Sequence, residues 1–170
     1  MLKLDDVTRH EINHRIAAGW RMFMGMKRLL MNKRVSISRR LKLFNSTVTS
    51  CVLWCCESWT PRSDELRALR VAWHGMLRRI VGSPRASKEE WLDWIQRTTR
   101  KARRWAEKAD IREWEVAHLE KKWHWAGHVA RRSATGWLYQ VTTWRDSHWQ
   151  ALATDLGAAR PIRPSKRRWM

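Results

Sequence analysis

Long apolar runs, acidic residues and dispersed cysteines are all scarce in this sequence of 170 residues. No apolar run approaches the roughly 20 residues of a transmembrane helix, and no apolar segment follows the first lysine as in a signal peptide. The three cysteines, Cys51, Cys55 and Cys56, lie within six residues of each other, which excludes a disulfide framework. We therefore expect an intracellular protein, cytoplasmic or nuclear, that does not have a membrane as its partner.

Acidic residues number 16 against 35 lysines and arginines, so the formal charge is +19. The basic residues are spread evenly, with 17 in residues 1–85 and 18 in residues 86–170. A chain that is basic throughout repels itself and binds polyanions, and the even spread favours nucleic acid over a single anionic pocket. The composition therefore predicts a nucleic-acid partner.

Apolar residues recur at helical spacing along most of the chain, and no stretch alternates long enough for a strand. We predict an all-α fold, a bundle of about five amphipathic helices with a basic, flexible C-terminal arm. The expected parts are a three-helix bundle in residues 1–84, a connecting helical region in 85–156 and a proline-containing arm in 157–170. The predicted helices cover residues 8–32, 36–58, 63–81, 87–109 and 111–131, with a short helix near 146–156.

Capping patterns set the predicted helix starts. Thr8 with Glu11, and Ser87 with Glu90, have the spacing of a capping box, and Ser63 is suited to an N-cap position. Asp110 is expected either to cap the fifth helix or to bend a continuous one.

Four segments carry a family resemblance: DDVTRHEINHRIAAGWRMF, RRLKLFNSTVTSCVLWCCESWT, MLRRIVG and WAGHVARR. In this order they resemble the C-terminal part of reverse transcriptases from non-LTR (LINE-type) retrotransposons. The resemblance covers roughly residues 5–150, and the tail RPIRPSKRRW is similar to the basic arm of that family. It implies that the first three helices are a thumb that clasps a template–primer duplex, followed by a connecting helical region.

The resemblance also bears on catalysis. Reverse transcriptases of this family hold two Mg²⁺ ions with an aromatic-x-Asp-Asp turn and another aspartate of the palm. Only four residues precede Asp5 and Asp6 here, and a helix follows at once, so we interpret both as helix-entry residues. The resemblance therefore implies a missing upstream palm, no catalytic residue and no cofactor in this chain, with Mg²⁺ belonging to the parent polymerase.

Other chemistry has weaker support. His10 and His14, and likewise His124 and His128, are four residues apart, but zinc needs about four ligands and the pairs lie on distant helices. Cys55 lies on the apolar stripe of the second predicted helix with Cys51, where a free cysteine behaves as a small hydrophobe. No nucleophile elbow or cysteine-protease signature is present. We expect neither a metal site nor catalysis by this chain alone.

Rows of cations at helical spacing are the predicted nucleic-acid site. On the fourth helix they lie opposite an apolar face that begins at Trp91, and few acidic residues neutralise them. Such rows suit a phosphate backbone, which positions a ligand without reading its sequence. The predicted binding residues are Arg67, Arg70 and Arg78 on the third helix; Arg97, Arg100, Lys101, Arg104 and Lys108 on the fourth; Trp123, His124, His128, Arg131 and Arg132 on or just after the fifth; and Arg163, Lys166, Arg167 and Arg168 in the arm.

The segment KKWHWAGHVARRS, residues 121–133, allows two interpretations. Trp125 aligns with Trp114 and His118, whereas Trp123 points to the opposite side of the helix. The helix is either packed between two neighbours, or it keeps Trp125 in the core and offers Trp123 or the histidines to bases, where stacking contributes about 1–3 kcal/mol per base.

These observations predict a non-catalytic fragment of an RNA-directed DNA polymerase that binds RNA or an RNA–DNA duplex. The alternatives are a free-standing basic RNA-binding protein, a membrane-surface protein with basic amphipathic helices, and a decayed element with no selected function.

Overall fold

The computed structural model describes residues 4–131, Gly136 and Gln140, with side chains from Thr8 onward. The fold is all-α, as predicted, and the described residues contain no strand. None of their helices is long and apolar enough to cross a membrane. The α-helices are α1 Leu4–Gly25, α2 Lys27–Leu30, α3 Ile37–Phe44, α4 Ser50–Val52, α5 Ser63–Val81, α6 Trp91–Lys108 and α7 Trp114–Ala130, with a π-helical turn at Asn45–Thr49 and a 3-10 turn at Cys56–Ser58.

The chain divides into two units, residues 1–126 and 127–170, and the boundary between them falls within α7, after Ala126. The first unit holds a continuous apolar core to which every long helix contributes. Its largest buried side chains include Phe23 of α1, Trp73 of α5 and Trp114 of α7, each at most 1% exposed.

The first predicted helix is confirmed as α1 and α2, which are separated at Met26. The helix begins at Leu4, so the predicted capping box at Thr8 is wrong. Glu11 is instead inside the helix and accepts a 2.6 Å hydrogen bond from Nε of Arg15 one turn later. The backbone of Asp5 and Asp6 is part of the first turn of α1, where acidic residues suit the helix dipole.

The second predicted helix is shorter than expected. It passes from α3 through the π-helical turn into α4 and ends at Val52. Cys55 has a φ of 53°, a left-handed conformation that cannot continue a helix. The prediction that Cys55 lies on the apolar stripe is therefore wrong: its side chain is exposed, and its neighbour Cys56 is buried instead.

Helix α5 matches its predicted bounds, and Gly82 ends it with a φ of 59°. Ser63 is the first helical residue and not the cap. The N-cap position belongs to Arg62, whose backbone N–H donates to Oε2 of Glu65 at 2.8 Å.

Helix α6 begins at Trp91, so the predicted capping box at Ser87 and Glu90 is also wrong. Trp91 itself, expected on the apolar face, is 56% exposed. Asp110 takes a left-handed φ of 54° and separates α6 from α7, so the two form separate helices, not one bent helix. Asp110 does not cap the fifth helix either, because α7 begins four residues later, at Trp114.

One arginine, Arg40, is buried in the first unit with only 7% of its surface exposed. Its guanidinium donates to the carbonyl oxygens of Leu30 at 3.3 Å, Val35 at 3.0 Å and Ile80 at 2.7 Å. Leu30 and Ile80 lie in the last turns of α2 and α5, where carbonyl groups lack helical partners. Burial lowers the pKa of Arg40, but a guanidinium stays charged in proteins. Arg40 therefore joins the α2–α3 turn to the C-terminal end of α5.

Candidate nucleic-acid interface

Helix α6 carries the longest row of cations in the described chain. Its inner face consists of small residues, Thr98, Ala102 and Ala106, each at most 2% exposed. The helix packs mainly on α5. Between Arg97 and Lys108 the helix rises about 16 Å, the length of roughly five nucleotide steps along one strand. We name its exposed side the α6 row; it consists of Arg97, Arg100, Lys101, Arg104 and Lys108.

Arg97 is the member of the α6 row that is neutralised within the fold. Its Nε and Nη2 donate to the two carboxylate oxygens of Glu89 at 2.6 and 2.8 Å. Nη2 also donates to the carbonyl of Pro84 at 3.1 Å. The bond to Arg97 lowers the pKa of Glu89 to about 2, so this pair is ionised at any physiological pH. The pair anchors the α5–α6 loop, and the carboxylate of Glu89 offsets the positive charge that Arg97 adds to the row.

The other four members of the α6 row have no carboxylate partner in the part of the chain that the structure describes. Lys101 donates to the neutral Oγ of Ser83 at 3.0 Å. Lys108 lies over the ring of Trp105, 5.2 Å from its centroid, a contact that leaves the charge in place. Arg100 and Arg104 are exposed and one turn apart. The row therefore presents four uncompensated positive charges along a rigid rod.

The predicted cations of α5 are placed differently. Arg67 is exposed without an ion pair among the described residues. Arg70 is paired with Glu115 of α7, its Nε 2.9 Å from Oε2. Arg78 is half-buried, donates to Oγ1 of Thr99 at 3.1 Å, and has a pKa lowered by burial. The three residues thus do not form one open row, because two of them hold the fold together.

A carboxylate that was not singled out from the sequence, Glu113, contacts an arginine and a histidine between α5, α6 and α7. Its Oε1 lies 3.0 Å from Nε of Arg103 and 3.6 Å from Nε2 of His74. Burial lowers the pKa of His74, although Glu113 opposes this shift. The cluster fastens α7 to the rest of the first unit and leaves the α6 row outside it.

Helix α7 agrees fully with neither of the two interpretations of KKWHWAGHVARRS. Trp114 and His118 are buried at 0% and 1% exposure, so one side of the helix faces the core. Trp123 is 74% exposed and Trp125 is 41% exposed. Packing of α7 between two neighbours is therefore wrong for the described residues, and so is the placement of Trp125 in the core. His124, His128 and Arg131 are also exposed.

Several predicted residues lie outside the described part of the chain. They are Arg132 and the cations of the arm, Arg163, Lys166, Arg167 and Arg168, together with the short helix near 146–156. Within the described residues, no three His, Cys, Asp or Glu side chains come together as metal ligands.

A second group of exposed cations was missed by the sequence analysis. They lie on α2, on α3 and in the turn between them, and none has a carboxylate partner among the described residues. The signal was available in the sequence, because no acidic residue occurs between Glu11 and Glu57. We name this group the α2–α3 corner; it consists of Lys27, Arg28, Lys33, Arg34, Arg39 and Lys42.

Comparison with known proteins gives a transposon-derived relative. The chain is 28% identical over 149 residues, 82% of its length, to a Caenorhabditis elegans protein named as an uncharacterized transposon-derived protein. The chain spans 47% of the length of that protein. No protein-family model matches the chain, and no solved structure does. The similarity supports an origin in a transposable element.

Proposed function

We propose that this chain is a non-catalytic part of a retrotransposon reverse transcriptase that binds template–primer nucleic acid through the α6 row. The observation that carries the proposal is the lack of carboxylate partners for four of the five cations of this row among the described residues. Charges held along one helix can contact several phosphates of a backbone without reading bases. The expected ligand is an RNA–DNA duplex or RNA, bound with little sequence preference.

Exposed apolar side chains support the view that the chain is part of a larger protein. Large apolar residues with at least 54% exposure occur on α1, α2 and α6 and include Met24, Leu29 and Leu92. Exposed side chains of this size mark a partner surface where they form a contiguous patch. The chain also spans 47% of the length of its transposon-derived relative, so further polymerase segments are proposed as the partner.

Equilibrium binding at several salt concentrations tests the proposed function. The full 170-residue chain is titrated against an RNA–DNA duplex and against two RNAs of unrelated sequence. Counterion release predicts that the logarithm of the binding constant falls linearly with the logarithm of salt, by about 0.9 per neutralised phosphate of a duplex. We expect similar affinities for the two unrelated RNA sequences and a negative slope with a magnitude of at least about 3. Binding that is absent, or that does not change with salt, would contradict the proposal.

A further inference from the structure

The longest acid-free stretch of the sequence contains an exposed basic surface that the proposed function does not use. Residues 12–56 include nine lysines and arginines and no aspartate or glutamate. Arg15 is paired with Glu11, Arg40 is buried, and Arg21 is exposed on α1, outside the corner. The six cations of the α2–α3 corner remain exposed, with no carboxylate partner among the described residues.

The α2–α3 corner is held rigidly, although α2 is only four residues long. Arg40 donates to carbonyls at the end of α2, in the turn and at the end of α5. Within the turn, the backbone N–H of Arg34 donates to Oδ1 of Asn32 at 3.0 Å. Leu30 and Leu41 are completely buried beneath it. The exposed cations therefore stand on a fixed base, which lowers the entropy lost when a ligand is bound.

The corner and the α6 row are attached to the same end of α5. Arg40 binds the carbonyl of Ile80 at 2.7 Å, and Lys101 binds the side chain of Ser83 at 3.0 Å. Ile80 and Ser83 are three residues apart, so their Cα atoms are separated by at most about 11 Å. Trp94 of α6 also donates from Nε1 to the carbonyl of Ser83 at 3.0 Å. The two surfaces are therefore anchored close to each other at the C-terminal end of α5.

We infer that the α2–α3 corner is a second phosphate-binding surface, which extends the contacts of the α6 row along the same nucleic acid. The inference rests on the proposed function. Its ligand is the sugar–phosphate backbone and not the bases, because the corner contains no aromatic residue on which a base could stack. Leu29 and Met31 are exposed there and would also suit an anionic lipid surface. However, α2 rises only about 6 Å, too little for an apolar face that lies in a membrane.

Charge removal with a matched control tests the corner. The corner variant is Lys27→Gln/Lys33→Gln/Arg34→Gln in the full chain. The control is Arg9→Gln/Arg15→Gln/Arg112→Gln, which removes the same charge from arginines already paired with Asp64, Glu11 and Glu120. The substituted side chains are exposed except for that of Arg15, which is partly buried, and circular dichroism verifies that each variant is folded. If the triple variant does not fold, Lys33→Gln/Arg34→Gln against Arg9→Gln/Arg112→Gln gives the same comparison.

The readout is the salt dependence of binding to an RNA–DNA duplex of about 20 base pairs. If all three corner cations contact phosphates, the corner variant loses about 2.7 from the magnitude of the slope, and the control loses much less. Equal losses in both variants would overturn the inference. Unchanged duplex binding by the corner variant, with loss of binding to phosphatidylserine vesicles, would assign the corner to lipid and also overturn it. If the unmodified chain does not bind the duplex at all, the proposed function fails and this inference fails with it.

Discussion

Nε1 of Trp114 donates a hydrogen bond of 2.9 Å to Oγ1 of Thr49, and both side chains are buried. The bond joins α7 to the π-helical turn in the second helical segment, 65 residues earlier in the chain. The indole ring also stacks on Phe44, with ring centroids 6.1 Å apart and planes 12° from parallel. The start of α7 is therefore anchored in the core, and its later residues, including Trp123, are left at the surface.

Replacement of Thr49 by valine is expected to destabilise the fold. Valine has the same shape but cannot accept a hydrogen bond, so the indole N–H of Trp114 is left buried without a partner, at a cost of about 1–3 kcal/mol. Thr47→Val is the matched control in the same turn, because Oγ1 of Thr47 donates only to the carbonyl of Leu43 in its own helical segment. Urea unfolding gives the difference. Equal free energies of unfolding for the two variants would show that the bond between Thr49 and Trp114 does not stabilise the fold.

Gly19 and Gly25 provide a second matched pair, both in α1. A Cβ at position 19 would overlap Cγ2 of Val52, whereas a Cβ at position 25 would have nothing within 4 Å. Gly19→Ala is therefore expected to destabilise by about 1–3 kcal/mol through overpacking, despite the better helix propensity of alanine. Gly25→Ala is expected to be neutral or to stabilise by up to about 1 kcal/mol. Thermal unfolding compares the two. A Gly19→Ala protein as stable as Gly25→Ala would show that α1 and α4 are not in close contact.

Two buried histidines are expected to make the fold less stable in mild acid. Burial lowers the pKa of His118 and of His74 from the usual 6.5, and nearby Lys122 lowers that of His118 further. The unfolded chain then binds protons that the folded chain does not. The free energy of unfolding therefore has its full value, as far as these histidines are concerned, above about pH 6.5. It decreases as the pH falls below 6.5, by at most about 1.4 kcal/mol per pH unit for each histidine.

The variant His118→Phe isolates one of these contributions. Phenylalanine can keep the ring stacking of His118 on Trp59, in which the centroids are 5.9 Å apart. We expect urea unfolding between pH 7 and 5 to depend less on pH in this variant than in the unmodified chain. His124→Phe, at an exposed position, serves as the control and should keep the original dependence. The same pH dependence in both variants would exclude His118 as a source of acid sensitivity.

Periodicity predicted the helices better than it predicted their ends. Helix α5 was predicted to the residue, because Gly82 and Pro84 stop an unbroken apolar stripe. The second helix was predicted too long, because neither the π-helical turn at Asn45–Thr49 nor the left-handed Cys55 changes the pattern of apolar residues. The capping boxes predicted at Thr8 and Ser87 were wrong because a hydroxyl residue three positions before a glutamate is a short pattern. It also occurs at positions that are not the start of a helix.

Which cations are exposed and unpaired was predicted in part, because ion pairing between helices is a property of the fold. Neither Arg70 nor Arg100 has an acidic residue within four positions in sequence, yet Arg70 meets Glu115 from 45 residues away. Arg100 meets no carboxylate among the described residues. Helical-wheel reasoning found the α6 row, since its cations lie on one helix. It missed the α2–α3 corner, whose cations are divided between two helices and a turn.

The salt dependence of nucleic-acid binding by two variants of equal charge tests the central claim most directly. Arg100→Gln/Arg104→Gln removes two exposed arginines of the α6 row, and Arg70→Gln/Arg97→Gln removes two that are paired with Glu115 and Glu89. For an RNA–DNA duplex, we expect the first variant to lose about 1.8 from the magnitude of the salt slope and the second to lose clearly less. Equal losses, or a larger loss in the Arg70→Gln/Arg97→Gln protein, would contradict the claim that the unpaired cations of α6 hold the nucleic acid.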